Sequence, residues 1–195
     1  MPISSKIAAF LSLIRFNKPI GTLLLLWPTM GALWIAAKGV PDYSLLAIFI
    51  AGTFLMRSAG CIVNDMADRN LDGAVARTVD RPLVTGAISL GEAVIFAALL
   101  CLLAFGLVLL TNTLTVFLSL VAVLLTSVYP FMKRHTNLPQ IVLGAAFSWG
   151  IPMAFAAQMG YLPAEMWLLY FGNLLWTIVY DTEYAMVDRA DDLKV

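Results

Sequence analysis

Two acidic stretches carry the residues whose types and spacing could do chemistry. The first is Asn64-Asp65-Met66-Ala67-Asp68-Arg69-Asn70-Leu71-Asp72, followed by Asp80; the second runs from Asp181 to Asp192 and includes Glu183, Asp188 and Asp191. Together they hold nine of the twelve acidic residues. On a helix Asn64, Asp68 and Asp72 fall at i, i+4 and i+8, one stacked row, and Asp65 reaches the same face. Asp181, Asp188 and Asp192 fall at i, i+7 and i+11, again one face. Like charges at that spacing repel, and more so beside a poorly solvating membrane. A divalent cation would relieve the repulsion. Carboxylates with room for water suit Mg2+, which binds through one or two of them plus substrate phosphates. A solvated acidic loop end explains a single row as well as a metal does. It is a weaker account of two rows at one membrane face.

Basic residues surround the first row. Arg57, Arg69, Arg77 and Arg81 are assigned to the connection that carries it, and Lys133 and Arg134 stand at the same level. Arg forks and Lys point charges bind phosphate oxygens. Simple topology signals would put cations on this side too. Two Asp rows, Mg2+ and cations together would suit a diphosphate, and at the end of a helix bundle a diphosphate with a lipid tail. Metal and cations would neutralise charge growing on a leaving pyrophosphate.

The elements that must position these residues are membrane helices. The chain has 195 residues, 61% hydrophobic and 12% charged. Soluble domains are about 45–50% apolar and about 25% charged. Mean hydropathy is +0.89, and formal net charge is zero. These values exclude a soluble globular domain, a disordered chain and a nucleic-acid binder, which needs a basic excess. They leave an integral membrane protein of the all-α class, a polytopic transmembrane helix bundle in a single membrane domain over 1–195. Six stretches reach the roughly 20 apolar residues a span needs: about 20–37, 44–63, 92–110, 113–131, 139–157 and 163–181. None alternates as a β-barrel strand would. Near the N-terminus, the apolar stretch that follows Lys6 runs on through Leu23–Trp27 with no small-residue cleavage site and reads as a retained anchor. Of the twelve basic residues, eleven fall on one side of a six-span chain and only Lys38 on the other, which makes the acidic side cytoplasmic. Cys61 and Cys101 stand 40 positions apart in apolar runs, and His135 is alone, so neither a disulfide framework nor a His-based metal site can be built.

These residues resemble those of the UbiA superfamily of intramembrane aromatic prenyltransferases. Asn64-Asp65-x-x-Asp68-x-x-x-Asp72 has the form NDxxDxxxD, and Asp188-Arg189-Ala190-Asp191-Asp192 the form DxxxD. Further strings resemble its ubiquinone-pathway branch, which uses 4-hydroxybenzoate. They are Lys18-Pro19-Ile20-Gly21, Leu24-Leu25-Leu26-Trp27-Pro28-Thr29, Asp80-Arg81-Pro82-Leu83, Tyr129-Pro130-Phe131-Met132-Lys133-Arg134 and Tyr180-Asp181-Thr182-Glu183-Tyr184-Ala185.

The resemblance implies Mg2+-dependent transfer of a polyprenyl group from polyprenyl diphosphate to the ring carbon ortho to the phenol of 4-hydroxybenzoate, in a bacterial inner membrane. Asn64, Asp68, Asp72, Asp188 and Asp192 would then hold two Mg2+ ions and the diphosphate. Lys133 and Arg134 would contact diphosphate or the aromatic carboxylate. Arg15 would lie near the aromatic acid, with Arg69, Tyr129 and Asp181 as further substrate-binding candidates. Tyr129 serves equally as an interfacial anchor. The family has nine transmembrane helices, so the resemblance also implies that the C-terminal third is lacking, which leaves room for a truncated, inactive chain.

Parts of the pattern also suit a different aromatic acceptor, a CDP-alcohol phosphotransferase, or a transporter or channel subunit. Asp72-Gly73-x-x-Ala76-Arg77 and Gly86 match part of the phosphotransferase pattern, but Arg69, Leu90 and Val94 stand where three of its acids belong. A transporter would favour acids inside the spans.

Overall fold

The computed structural model describes residues 3–73, 78–132, 136 and 138–192, without the side chains of 3, 4, 70, 71, 131 and 187–192. Among the described residues the chain forms eight helices and no strand: α1 (Ile3–Leu13), α2 (Ile20–Ala37), α3 (Tyr43–Asp72), α4 (Leu90–Val108), α5 (Thr113–Met132), α6 (Pro139–Ser148), α7 (Gly150–Met159) and α8 (Met166–Asp192).

Five stretches are helical, long and apolar enough to cross a membrane: Ile20–Ala37, Tyr43–Arg69, Leu90–Val108, Thr113–Pro130 and Pro139–Met159. They match the first five expected spans. The sixth, 163–181, lies on α8, which is outside that set. Its apolar run is diluted by Asn173, Asp181 and Glu183 before the helix ends. Large apolar side chains such as Leu168, Leu110 and Ile95 are 78%, 72% and 71% exposed. In a bilayer that surface meets lipid and carries no solvation cost.

Three details differ from what the sequence alone predicts. The N-terminal stretch does not run straight into the first span. It forms the separate helix α1, which ends in a Schellman turn: Arg15 N–H donates to Ser12 O and Phe16 N–H to Leu11 O. Arg15 takes the left-handed conformation, φ 58°, that glycine usually supplies at this position. Second, α3 does not stop at residue 63. Its 30 residues span about 45 Å against a hydrocarbon core of about 30 Å, so its last turns carry the first acidic motif beyond the apolar segment. Third, the expected span 139–157 is broken at Trp149. Pro152 cannot donate to the carbonyl four residues back and its ring clashes there, which interrupts the helical hydrogen bonding where α6 gives way to α7. The Trp149 indole donates to Leu118 O at 2.9 Å. A Cβ on Gly150 would lie 2.2 Å from Thr29 Oγ1, so glycine permits the contact between α7 and α2.

The interior divides into two clusters. One packs α2, α3, α7 and α8 around Leu33, Phe49, Ile151, Phe155 and Met166. The other ties α1 and α4 to α3 through Leu13, Ala59, Ile62, Ile88 and Leu100. Between these helices, at one end of the bundle, a cavity remains.

Candidate functional site

The cavity has a volume of about 830 Å3 and is lined by residues from several parts of the chain, including Arg15 and Asn17 of the turn after α1. The start of α2 contributes Lys18 and Gly21, the loop before α4 contributes Thr78 and Arg81, and α5 contributes Thr126 and Tyr129. Phe147 comes from α6, and Tyr180, Asp181 and Tyr184 come from α8. The largest share is from α3: Arg57, Gly60, Cys61, Asn64, Asp65, Asp68 and Asp72. Those positions recur every three or four residues, so one stripe of a single helix faces the cavity over four turns.

The electrostatic centre of this stripe is Asp65, 1% exposed. Arg15 Nη2 donates to its Oδ1 at 2.7 Å and its Oδ2 at 3.0 Å. Arg81 Nη1 stands 3.0 Å from Asp65 Oδ1 and 2.5 Å from Asp72 Oδ2. A buried carboxylate is costly without such partners. The arrangement also explains the left-handed Arg15: that turn reverses the chain after α1 and lets its side chain cross to α3. Thr78 Oγ1 donates to the Asp72 carbonyl at 2.7 Å, which satisfies an end of α3 and holds the following loop against the helix.

Arg57 is the second notable cation. The expected place for it was the connection after the second span, but it lies inside the Tyr43–Arg69 segment. Its guanidinium packs over Gly21, where a Cβ would come within 2.6 Å of Nη2, and it donates to Cys61 Sγ. Among the described residues its Nε is buried without a hydrogen-bond partner, as is the Tyr180 hydroxyl. A charge inside a membrane helix is itself a functional signal, and its position in the 44–63 stretch was enough to raise it.

The structure thus brings Arg15, Asn64, Asp68, Asp72, Tyr129 and Asp181 to one cavity wall. Arg69 is exposed and is not on that wall. Asp188 and Asp192 occupy the last turns of α8, but their side chains fall outside the described residues, as do Lys133 and Arg134 altogether. Asp65, absent from the expected ligands, is the residue that organises the cations. Among the described residues no three His, Cys, Asp or Glu side chains form a ready-made metal cluster. The acidic row offers oxygen donors from Asn64, Asp68 and Asp72, which fits Mg2+. That ion keeps several waters and uses phosphate oxygens, so a complete protein cage is not required.

Fold and site define a multi-pass membrane helix bundle with a charged cavity at one end. The chain belongs to the UbiA prenyltransferase family, whose model matches residues 25–195. Curated relatives called 4-hydroxybenzoate octaprenyltransferase include one from Coxiella burnetii, 58% identical over 99% of this chain and 67% of its own length. Another, from Stutzerimonas stutzeri, is 62% identical over 95% of this chain and 63% of its own length. The chain therefore spans about two thirds of the length of these relatives. Among solved structures, a UbiA homologue from Aeropyrum pernix K1 superposes with TM-score 0.74 at 27% identity, over 86% of this chain and 63% of the homologue. A homologue from Archaeoglobus fulgidus, bound to GPP and Mg2+, gives TM-score 0.80 over 95% of this chain and 65% of its own, at 18% identity, a likeness of fold alone. Family membership sets aside the phosphotransferase.

Proposed function

We propose that this chain carries the diphosphate- and acceptor-binding part of a Mg2+-dependent prenyltransferase. It would move a polyprenyl group from polyprenyl diphosphate to the ring carbon ortho to the phenol of 4-hydroxybenzoate, at the cytoplasmic face of a bacterial inner membrane. The observation that carries this reading is the cavity itself: Asn64, Asp68, Asp72 and Asp181 facing Arg15, Arg57 and Arg81 at the end of an apolar bundle. The names of the relatives supply the acceptor and the lipid chain.

The assigned roles follow from chemistry. Asn64, Asp68 and Asp72, with Asp188 and Asp192, would hold Mg2+. When bound, the metal supplies positive charge to the diphosphate as its bond to the allylic carbon breaks. Arg81, Lys133 and Arg134 bind the remaining phosphate oxygens. Arg57, whose Nε is buried without a partner among the described residues and which lines the cavity with Tyr129 and Tyr180, is the cation best placed for the aromatic carboxylate, because Arg15 is committed to Asp65. Aromatic and aliphatic walls from Phe147, Leu143 and Leu24 keep water from the allylic cation, which suppresses hydrolysis to the prenyl alcohol.

The test is product analysis with membrane-reconstituted chain, labelled polyprenyl diphosphate, 4-hydroxybenzoate and Mg2+, with a full-length relative as positive control. Prenylated 4-hydroxybenzoate, lost on chelation, is the expected product. No product while the control turns over would overturn the reading for this chain. Product with homogentisate alone would reassign the acceptor.

A further inference from the structure

The Arg81 guanidinium occupies a place that the proposed function gives to something else. Its Nη1 sits between two carboxylates of α3, 3.0 Å from Asp65 Oδ1 and 2.5 Å from Asp72 Oδ2. Asp72 belongs to the expected metal-binding row, yet here its counter-ion is an arginine. Asp65 lies about two turns earlier on the same face, fully buried, and already held at both oxygens by Arg15. The two carboxylates are therefore unequal. Asp65 is locked in place; Asp72 has its side chain 10% exposed at the cavity wall, with Arg81 at 14%.

We propose that Arg81 is a displaceable counter-ion for Asp72. Asp65 is the positioning residue that keeps Arg81 at hand while it changes partners. This rests on the metal–diphosphate reading of the cavity and assigns the order in which its charges pair. Without ligand, Arg81 neutralises the crowded carboxylates of Asp65 and Asp72, which otherwise repel on one helix face. When a divalent cation reaches Asp72, the same carboxylate oxygen cannot serve both cations at full strength. The guanidinium keeps its contact to Asp65 and turns its remaining N–H groups toward the phosphate oxygens that arrive with the metal. An arginine suits this exchange because its fork carries five donors in one plane. The loop that bears it stays fixed through the exchange: Thr78 Oγ1 holds the Asp72 carbonyl at 2.7 Å, and Ile88 N–H holds Pro82 O at 3.2 Å. Only the side chain needs to move. Metal and diphosphate then bind cooperatively, because each relieves a cost that the other would face alone.

The proposal predicts effects of opposite sign from one substitution. Binding is measured on the purified chain in nanodiscs, with Mn2+ as a spectroscopic substitute for Mg2+ and inorganic diphosphate as the anion; free Mn2+ is read by electron paramagnetic resonance. In the unsubstituted chain Mn2+ alone binds weakly and diphosphate tightens it. In Arg81→Gln, Mn2+ alone binds several-fold more tightly because its competitor is gone. The tightening by diphosphate falls about tenfold, the size of one charge-assisted hydrogen bond. Arg81→Lys, which keeps the charge, stays near the unsubstituted chain for Mn2+ alone; it also shows whether loss of the guanidinium has disturbed folding, since both variants must match in elution profile and helicity. If Arg81→Gln weakens both steps, or alters neither, Arg81 is a structural tie and the exchange is wrong, while the site reading survives. If the unsubstituted chain takes up no Mn2+ with diphosphate, the site reading fails and the exchange falls with it.

Discussion

The two ends of the bundle use polar side chains in opposite ways. At the end away from the cavity they close on backbone groups or on a close neighbour in sequence. Asn112 accepts from Thr115 N–H and Oγ1 at 3.0 and 2.9 Å and donates to Ala156 O at 2.6 Å. Thr111 donates to Val108 O, and Asp42 accepts from the Ser44 amide and hydroxyl. These bonds finish helix ends and leave little to offer a ligand. At the cavity end both partners are charged side chains, as with Arg15 and Asp65 or Arg81 and Asp72. Several of these charged groups line the open cavity. A membrane protein gains stability from the first pattern and function from the second, since buried charge that is only partly paired is expensive.

The sharpest way to break that contrast is to remove a cavity carboxylate. Asp68→Ala, Asp72→Ala, Asp188→Ala and Asp192→Ala should each lower prenyl transfer by about two orders of magnitude or more, as expected when a metal–diphosphate site loses a ligand. Thermal unfolding should move little for Asp68→Ala. Near-normal transfer by Asp68→Ala at limiting Mg2+ would show that the cavity end is as structural as the other.

Arg57→Gln comes next. If this cation holds the acceptor's carboxylate, KM for the aromatic acid should rise roughly tenfold to a hundredfold, with a far smaller change in KM for the prenyl diphosphate. Equal changes in both would move Arg57 from acceptor binding to general support of the cavity.

How far the sequence reached differs between these same regions. The helical class and five of the spans were legible because apolar length is all that spanning requires. The row Asn64, Asp68, Asp72 was legible from its four-residue spacing, and α3 does carry it on one face. Asp65 was not legible as an organiser because its role depends on Arg15 and Arg81, which reach it only after two chain reversals; no local pattern encodes that meeting. Arg57 could have been singled out, since a charge inside a span is a signal in one dimension. The break at Trp149 was half legible. Pro152 is visible in the sequence, but the close packing of Gly150 on Thr29 of α2 is not. For α8, an apolar run reached the length of a span, while Asn173 and Asp181 lowered its hydropathy.

Gly150→Ala tests the packing that lies between the two ends. Its Cβ would meet Thr29 Oγ1 at 2.2 Å, so α7 must shift off α2, and overpacking of this kind costs about 1–3 kcal/mol. Thr29→Ala removes the obstacle, so the double variant should recover much of the loss, a coupling that a double-mutant cycle reads directly. A loss in Gly150→Ala that Thr29→Ala does not relieve would place the strain elsewhere.

The smallest effect belongs to Asp42, at the far end. The Ser44 hydroxyl and amide both donate to its carboxylate, and these bonds hold its pKa below the usual carboxylate range. The sign follows: a carboxyl whose folded pKa lies below its unfolded value, about 3.9, stabilises the fold above that unfolded value. The contribution disappears as pH falls through the folded pKa. Asp42→Ala should therefore unfold slightly earlier than the parent chain at pH 7, and the gap should close below about pH 4, where the parent's carboxyl is itself becoming protonated. Since Asp42 is fully exposed, the gap is small at any pH, and prenyl transfer should be unchanged. Melting curves of both chains from pH 3 to 8, with transfer assayed at neutral pH, measure the two quantities together. A transfer defect in Asp42→Ala would mean that the far end reaches the cavity, and the division between a structural end and a functional end would have to be withdrawn.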